Sequence, residues 1–213
     1  MKIIDVSQFQ GHIDFKAISK KTLNADGTEC KLVDAVYIRA TQGDHWTDSK
    51  FKEYHDGFKS VGISIGTYHF FEFKSNPVQQ AQYFINAISG REGDLIPMVD
   101  CEPESLVGPS DLGQRMQWLH TFNQYLLDHM KTSNLLIYTP LSFWNDKMGG
   151  TSAFQGHHLW IAEYNNDSAP EIPRGWNTWK IWQFTSRGRT PGITENTVDT
   201  NRFNGTSLSE IGR

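Results

Sequence analysis

Short runs of apolar, β-branched or aromatic residues recur along the whole chain, each about as long as one strand of a sheet. Eight such runs predict strands at residues 2–6, 35–40, 65–71, 95–102, 135–139, 159–164, 180–184 and 198–203. Longer polar or amphipathic segments separate them. The pattern predicts one sheet built from strands that are spread over the full length of the chain.

Segments with helical periodicity lie between the earlier strands. The clearest follows Pro109-Ser110-Asp111, where apolar residues recur at spacings of three and four; they are Met116, Leu119, Phe122, Leu126 and Met130. Residues 49–61 and 77–88 show the same pattern more weakly, and Pro77 suits a first helical turn. Strands that alternate with helices indicate a parallel sheet.

The pattern changes after residue 139, because Gly, Pro, Asn and Ser separate the later strands, as in 165–175 and 186–192. Helices are therefore expected to cover only part of the sheet. We expect an α/β fold, a modified TIM-like (β/α) barrel of eight strands with an incomplete ring of helices. Short hairpin-like connections would close it at the end of the chain.

Composition narrows the class of protein. The 213 residues are 38% hydrophobic and 21% charged, which disfavours collagen-like, disordered and coiled-coil chains. The net charge of −4 lacks the positive excess that nucleic acid or an anionic membrane surface favours. Since no run has the ~18 apolar residues of a membrane span, we expect neither nucleic-acid binding nor membrane insertion. Cys30 and Cys101 form no Cys-x-x-Cys pair, and a single disulfide between them stays open.

Carboxylates lie near the carboxyl ends of the predicted strands, where barrels of this kind carry their chemistry. They are Asp5, Asp100, Glu102 and Asp199. Each one alone is as readily an ordinary acid of a solvated rim as a functional group. Together they predict an acidic mouth.

The Asp100-Cys101-Glu102 triplet is more informative, because residues at i and i+2 of a strand share one face while the middle residue points away. Asp100 and Glu102 would lie roughly 6.6 Å apart at their Cα atoms. Repulsion and partial burial would keep a proton on one of them near neutral pH. Such a pair suits cleavage of a glycosidic bond, in which one acid protonates the leaving oxygen.

Aromatic residues, 13% of the chain, cluster near the strand ends, where rings can pack on sugar faces or fill the core. The candidates are Tyr68, Phe70, Tyr138, Trp144, Trp160, Tyr164 and Trp182. The chain has no Gly-rich phosphate loop, His-Glu-x-x-His motif or calcium loop, and we expect neither a metal nor a cofactor. His69, inside a predicted strand, is interpreted as a hydrogen-bonded core residue.

These residues resemble the glycoside hydrolase family 25 lysozymes, which are peptidoglycan muramidases, over nearly the whole chain. The shared motifs are Asp5-Val6-Ser7, Gln10-Gly11, Ile13-Asp14-Phe15, Tyr37 to Gly43, Gly66 to Phe70, Asp100-Cys101-Glu102, Tyr138-Thr139, Leu159 to Tyr164, Trp182 to Ser186, Pro191-Gly192-Ile193 and Val198 to Phe203. Each motif is short, and their order and spacing together carry the resemblance.

The resemblance implies a barrel that hydrolyses the β-1,4 bond from N-acetylmuramic acid to N-acetylglucosamine with retained configuration. Residues 1–213 would form a single catalytic domain acting on peptidoglycan glycan strands as a monomer. Glu102 would be the general acid and then the base, Asp100 would orient a 2-acetamido group, and Asp5 and Asp199 would complete the acidic cleft. Substrate would contact Tyr68, Tyr138, Trp160, Tyr164 and Gln183. The spacing leaves a covalent enzyme intermediate equally open.

The sequence departs from the family pattern at Gln42 and at residues 20–34, and other interpretations of the chain stay open. Gln42 stands where the family often has Glu, which keeps open a non-catalytic peptidoglycan-binding or inhibitory module on a degenerate scaffold. Residues 20–34 look longer than usual. A chitinase-like hydrolase ranks last, because Met98 breaks the longer Asp-x-Asp-x-Glu run.

Residues 1–7 lack the apolar stretch of a signal peptide, so we expect synthesis in the cytoplasm and delivery to the cell wall by a holin or a secretion machine, as for a phage endolysin or an effector.

Overall fold

The apolar runs form strands in the computed structural model, which describes residues 1–23, 26–106, 111–165 and 167–213. In chain order the strands are β1 (Lys2–Val6), β2 (Lys21–Leu23), β3 (Glu29–Lys31), β4 (Ala35–Gln42), β5 (Trp46–Thr47), β6 (Ser64–Phe70), β7 (Met98–Asp100), β8 (Leu136–Pro140), β9 (His158–Ala162), β10 (Ile181–Thr190) and β11 (Ile193–Phe203). The helices are α1 (Phe15–Ile18), α2 (Phe51–Ser60), α3 (Pro77–Ile88), α4 (Leu112–His129) and α5 (Leu141–Lys147). All eight predicted strands are present; β7 is shorter than predicted, whereas β10 and β11 are longer.

Hydrogen bonding closes the sheet into a barrel. The strands follow one another in the order β1, β11, β10, β9, β8, β7, β6, β4, and β1 pairs back to β4. All neighbours in this ring are parallel except the pairs that β11 makes with β10 and β1. The predicted TIM-like barrel of eight strands with an incomplete ring of helices is confirmed. Its sheet is not parallel throughout as expected, because the hairpin of β10 and β11 that closes it makes β11 antiparallel to both neighbours.

Alternation along the strands produces two apolar layers. Ile4 and Val6 of β1 pack outward with the helices, whereas Ile3 belongs to a separate cluster inside the barrel. Cys101 belongs to the outer layer, as its position between Asp100 and Glu102 predicts. Period-two alternation therefore determines which residues lie inside the barrel.

Gly66 provides space inside the barrel. A Cβ atom there would lie 2.2 Å from Cε1 of Tyr37, whose ring packs edge-to-face on Trp160 at a centroid distance of 4.9 Å. The Tyr37 hydroxyl donates to the carbonyl of Ile96 at 3.1 Å. A glycine on β6 therefore lets a large aromatic pair fill the interior.

The predicted helices are confirmed as α2, α3 and α4. Pro77 occupies the first turn of α3, and the side chain of Asn76 caps that helix. The side chain of Asp111 caps α4 by accepting from the amide of Gln114 at 2.8 Å. The two residues before Asp111 in the predicted start signal lie outside the described residues.

Several short elements were not predicted. Helix α5 follows β8, although the sequence indicated no periodic segment after residue 139; its seven residues are too few for periodicity to show. Its Phe143 and Trp144 are buried in the outer layer. The segment at 20–34, which we expected to be longer than usual, contains the antiparallel pair of β2 and β3. Within the described ranges, no helix has the length and hydropathy needed to cross a bilayer.

Candidate active site

Inward-facing positions change from apolar to polar as the strands approach one rim of the barrel. Ile3 is followed by Asp5 on β1, and Met98 by Asp100 on β7. The polar ends meet in a cleft of about 270 Å³ whose described lining residues are Asp5, Ser7, Phe9, Arg39, Tyr68, Phe70, Met98, Asp100, Glu102, Tyr138, Tyr164, Gln183, Ser186 and Asp199. Cavities of about 490 and 630 Å³ lie elsewhere, and neither has more than one carboxylate among its described lining residues.

Asp5 is held in the floor of this cleft by two amide side chains. Asn201 Nδ2 donates to its Oδ2 atom at 2.8 Å, and Gln183 Nε2 donates to the same atom at 3.2 Å. Burial raises the pKa of Asp5, while these hydrogen bonds act in the opposite direction. The amide donors therefore favour the charged form of Asp5 over that of its neighbouring acids.

Asp199 on β11 lies opposite Asp5 on β1. Burial, followed by the charge of Asp5, raises the pKa of Asp199 to about 9. Because the amide donors point to Asp5, the proton shared by this pair belongs on Asp199. The pair thus carries a single negative charge at neutral pH.

Asp100 and Glu102 form the second acidic pair. Asp100 ends β7 and is almost fully buried, and its Oδ1 atom has no hydrogen-bond partner among the described residues. Burial and then the charge of Glu102 raise the pKa of Asp100 well above its usual range. Glu102 lies just past the strand and is more exposed, and burial, followed by the charges of Glu104 and Asp5, raises the pKa of Glu102 to about 7. Glu102 can therefore exist in both protonation states near neutral pH.

Gln183 links the cleft wall to Asp5. Its Oε1 atom accepts hydrogen bonds from the hydroxyls of Tyr138 at 3.0 Å and Tyr164 at 2.6 Å, while its Nε2 atom donates to Asp5. The side chain is 2% exposed. Its amide is thus occupied by protein groups, and this position suits support of the site better than the substrate contact expected from the sequence.

The cleft brings together seven of the nine site residues inferred from the sequence at its surface, and an eighth, Gln183, in its wall. The seven are Asp5, Asp100, Glu102, Asp199, Tyr68, Tyr138 and Tyr164. Trp160 does not line the cleft: it is fully buried, and its Nε1 atom donates to Asn201 Oδ1 at 2.9 Å. Its ring packs edge-to-face on Tyr37 in the interior cluster of the barrel, at a centroid distance of 4.9 Å.

Other polar groups near the cleft were not singled out from the sequence. Arg39 faces it from β4, and Asn201 supports Asp5 from β11. Arg39 lies two positions after the inward-facing Tyr37, and Asn201 lies two positions before the inward-facing Phe203. Strand alternation could therefore have identified both residues. Gln42, whose identity prompted the binding-module alternative, donates to Glu72 Oε1 at 2.7 Å and is not among the described lining residues.

His69 is not among the described residues that line the acidic cleft. His69 is fully buried, its Nδ1 atom is 2.8 Å from Thr41 Oγ1, and its ring stacks on Phe122. Burial lowers the pKa of His69 to about 3, so the ring is neutral. In the part of the chain that the structure describes, no three His, Cys, Asp or Glu side chains are arranged to hold a metal ion.

A closed barrel with paired carboxylates and aromatic rings at its carboxyl rim defines a class, the barrel glycoside hydrolases. The sequence model of the glycosyl hydrolases family 25 matches residues 4–193. The chain therefore belongs to family 25 of the glycosyl hydrolases.

Individual relatives agree with this assignment. The chain is 33% identical over 193 residues to the autolytic lysozyme of Clostridium acetobutylicum, a match that covers 91% of this chain and 53% of that protein. It is 29% identical over 212 residues to lysozyme M1 of Streptomyces globisporus, covering 96% and 68% of the two chains. The bacterial lysozyme structure from Streptomyces coelicolor matches with a TM-score of 0.82 and 27% identity, covering 99% of this chain and 94% of that one. The chain thus spans about half the length of the Clostridium relative.

Proposed function

We propose that this protein is a lysozyme that hydrolyses the β-1,4 bond between N-acetylmuramic acid and N-acetylglucosamine in peptidoglycan. The observation that carries the proposal is the position of Glu102, a partly exposed carboxyl with a pKa of about 7 beside the buried Asp100. The names of the Clostridium and Streptomyces relatives support the same substrate class.

Glu102 acts first as the general acid. Its proton passes to the glycosidic oxygen as the bond between that oxygen and the anomeric carbon breaks. The resulting carboxylate then takes a proton from the water that attacks the same carbon. A pKa of about 7 suits both steps, because neither protonation state is strongly disfavoured near neutral pH.

Asp100 orients the 2-acetamido group, which serves as an internal nucleophile and gives retained configuration. Its Oδ1 atom lacks a partner among the described residues, and the N–H of an acetamido group would satisfy it. Asp5 supplies the fixed negative charge that stabilises an oxocarbenium-like centre, while Asp199 holds a proton beside it.

The aromatic residues of the cleft bind the sugar rings. Tyr164 is 58% exposed, and Tyr68 and Tyr138 are largely buried at the cleft wall. Ring faces that line a cleft pack on the apolar faces of sugars. The substrate is a glycan strand of the cell wall, which is the place of action. A single catalytic domain is supported by the pairing of β1 with β11, which joins the two ends of the described barrel.

Product analysis tests this proposal. Purified peptidoglycan is digested, the soluble fragments are reduced with borohydride, and the new end sugar is identified by mass spectrometry. We expect muramitol ends. Glucosaminitol ends would mean that the opposite bond is cut, and chitin oligomers digested faster than peptidoglycan would indicate a chitinase. Sedimentation with peptidoglycan and no new reducing ends would support the binding module instead.

A further inference from the structure

One cation faces the acidic cleft. Among its described lining residues, Arg39 is the only Lys or Arg, and its side chain is 11% exposed. It occupies the inward position of β4 two residues after Tyr37, at the same rim as Asp5 and Asp100. A lone guanidinium among carboxylates is a specific feature of this cleft.

The guanidinium is held firmly on one edge. Its Nε atom donates to Asp48 Oδ2 at 3.1 Å, and the Asp48 side chain is fully buried. Asp48 is itself oriented by the backbone amides of Gln8 and Lys50, each at 2.9 Å. The Asp48 carboxylate therefore accepts hydrogen bonds from three donors, which fix its position. Asp48 in turn fixes the position of the Arg39 guanidinium.

Two aromatic rings add to this support. The Cζ atom of Arg39 lies 5.1 Å from the ring centroid of Phe9 and 4.8 Å from that of Trp46. Phe9 is 64% exposed at the cleft edge. The stacked rings limit the guanidinium to contacts in its own plane.

The terminal nitrogens of Arg39 remain for a ligand. A guanidinium has five N–H donors, and the contact with Asp48 uses the one on Nε. No hydrogen bond within the described ranges involves the other four. Their planar arrangement suits the oxygens of a carboxyl or carbonyl group, which they can bind in bidentate fashion.

N-acetylmuramic acid differs from N-acetylglucosamine by a lactyl ether on O3, and that ether ends in a carboxyl group that is either free or joined to the stem peptide. We propose that Arg39 binds the carboxyl-derived oxygens of this lactyl group and so makes the cleft select muramic acid over N-acetylglucosamine. This inference rests on the proposed function. The negative charge of Asp5 would otherwise repel a substrate that carries its own carboxylate.

Binding measured without catalysis tests the role of Arg39. In a Glu102→Gln background, calorimetry compares equal-length oligosaccharides of alternating muramic acid and glucosamine with chitin oligosaccharides. We expect Arg39→Gln to weaken binding of the muramic-acid ligand by about tenfold or more, the usual effect of a lost charge-assisted hydrogen bond. Binding of the chitin ligand should change by less than about twofold. Equal losses on both ligands, or none, would overturn the proposal.

Two preparations of the muramic-acid ligand separate the sources of the oxygen. One carries stem peptides, and the other has been freed of them by an amidase. A loss confined to the peptide-free ligand identifies the free carboxylate, whereas a loss on both identifies the shared carbonyl oxygen. Either result supports the proposal.

Arg202 provides a matched control. Its Cζ atom lies 5.1 Å from the Trp182 ring centroid and 4.7 Å from that of Phe184, and the residue does not belong to the described lining of the cleft. Arg202→Gln therefore removes a similarly stacked cation and should leave both affinities unchanged. If Arg39→Gln fails to fold, Arg39→Lys keeps the charge and should still lose about threefold to tenfold on the muramic-acid ligand alone. Failure of the proposed function is distinguished by the product analysis, which does not use these variants.

Discussion

Asp5 and Asp199 lie directly opposite each other in the antiparallel pair of β1 and β11. Side chains in that relationship have Cβ atoms about 4.5–5.5 Å apart, a distance at which two buried carboxylates cannot both be charged without a large cost. Asn201 and Gln183 donate to Asp5, so the proton resides on Asp199. The cleft therefore combines one fixed charge with one neutral acid.

Glu102→Gln should abolish hydrolysis without unfolding the protein. We expect the rate of peptidoglycan hydrolysis to fall by about 10²–10⁴-fold, since a positioned general acid contributes that much. Turbidity loss of cell walls measures the rate, and thermal denaturation checks the fold. Glu104→Gln, which alters an exposed carboxylate on the following turn, is the matched control and should retain activity on the acidic side of the Glu102 pKa. Lysis by the Glu102 variant at the unmodified rate would contradict the assignment.

The rate of hydrolysis should fall as the pH rises above about 7. Glu102 must be protonated to act as an acid, and burial raises its pKa to about 7. Activity should therefore decline about tenfold per pH unit above that value. The charge of Glu104 contributes to the raised pKa, so Glu104→Gln should move the alkaline midpoint to lower pH. A midpoint that does not shift in this variant would argue against Glu102 as the titrating group.

Asp199→Asn should stabilise the protein at neutral pH. Burial raises the pKa of Asp199 from an ordinary value of 3.8 to about 9, so the folded state binds more protons than the unfolded state between these pH values. Stability contributed by this proton is complete below pH 3.8 and is lost as pH rises through that window. The Tm of the variant at pH 7 should be about 2–4 °C higher than that of the unmodified protein, and Tm should depend less on pH. Asp146→Asn, an exposed change on α5, should alter neither, and an unchanged slope in Asp199→Asn would contradict the protonated state.

Gln183→Met should damage both stability and turnover. It removes the donor to Asp5 and the acceptor for Tyr138 and Tyr164, and unpaired buried polar groups cost about 1–3 kcal/mol each. We expect the free energy of unfolding to fall by about 2–4 kcal/mol and kcat to fall more than KM rises. Tyr164→Phe removes one of these bonds at a half-exposed site and should cost less than about 1 kcal/mol. A rise in KM alone for Gln183→Met would instead indicate direct contact with substrate.

Trp160 and Tyr164 should respond differently to mutation. Trp160→Phe loses the bond to Asn201 inside the barrel, so we expect about 1–3 kcal/mol less stability and an unchanged KM. Tyr164→Ala removes an exposed ring at the cleft and should raise KM with little change in Tm. Denaturant titration and steady-state kinetics separate the two effects. A raised KM in Trp160→Phe at full stability would mean that this indole reaches the substrate.

Local sequence patterns correctly predicted those features that a single strand or helix determines. Period-two alternation put Asp100 and Glu102 on one wall and Cys101 on the other, and the signal at Pro77 located the start of α3. Helix α5 was missed, because seven residues carry too little periodicity and its stability comes from burying Phe143 and Trp144.

The sequence by itself determined which residues face the barrel interior, since side-chain direction follows from strand geometry. Tertiary structure alone decided which of them meet: the register of β11 against β1 brings Asp199 to Asp5. It also decided that Trp160 is buried in the barrel interior and that the amide of Gln183 is used by Asp5 and two tyrosines. Strand tilt and ring closure set the height of each residue along the barrel axis, and no local pattern encodes that height.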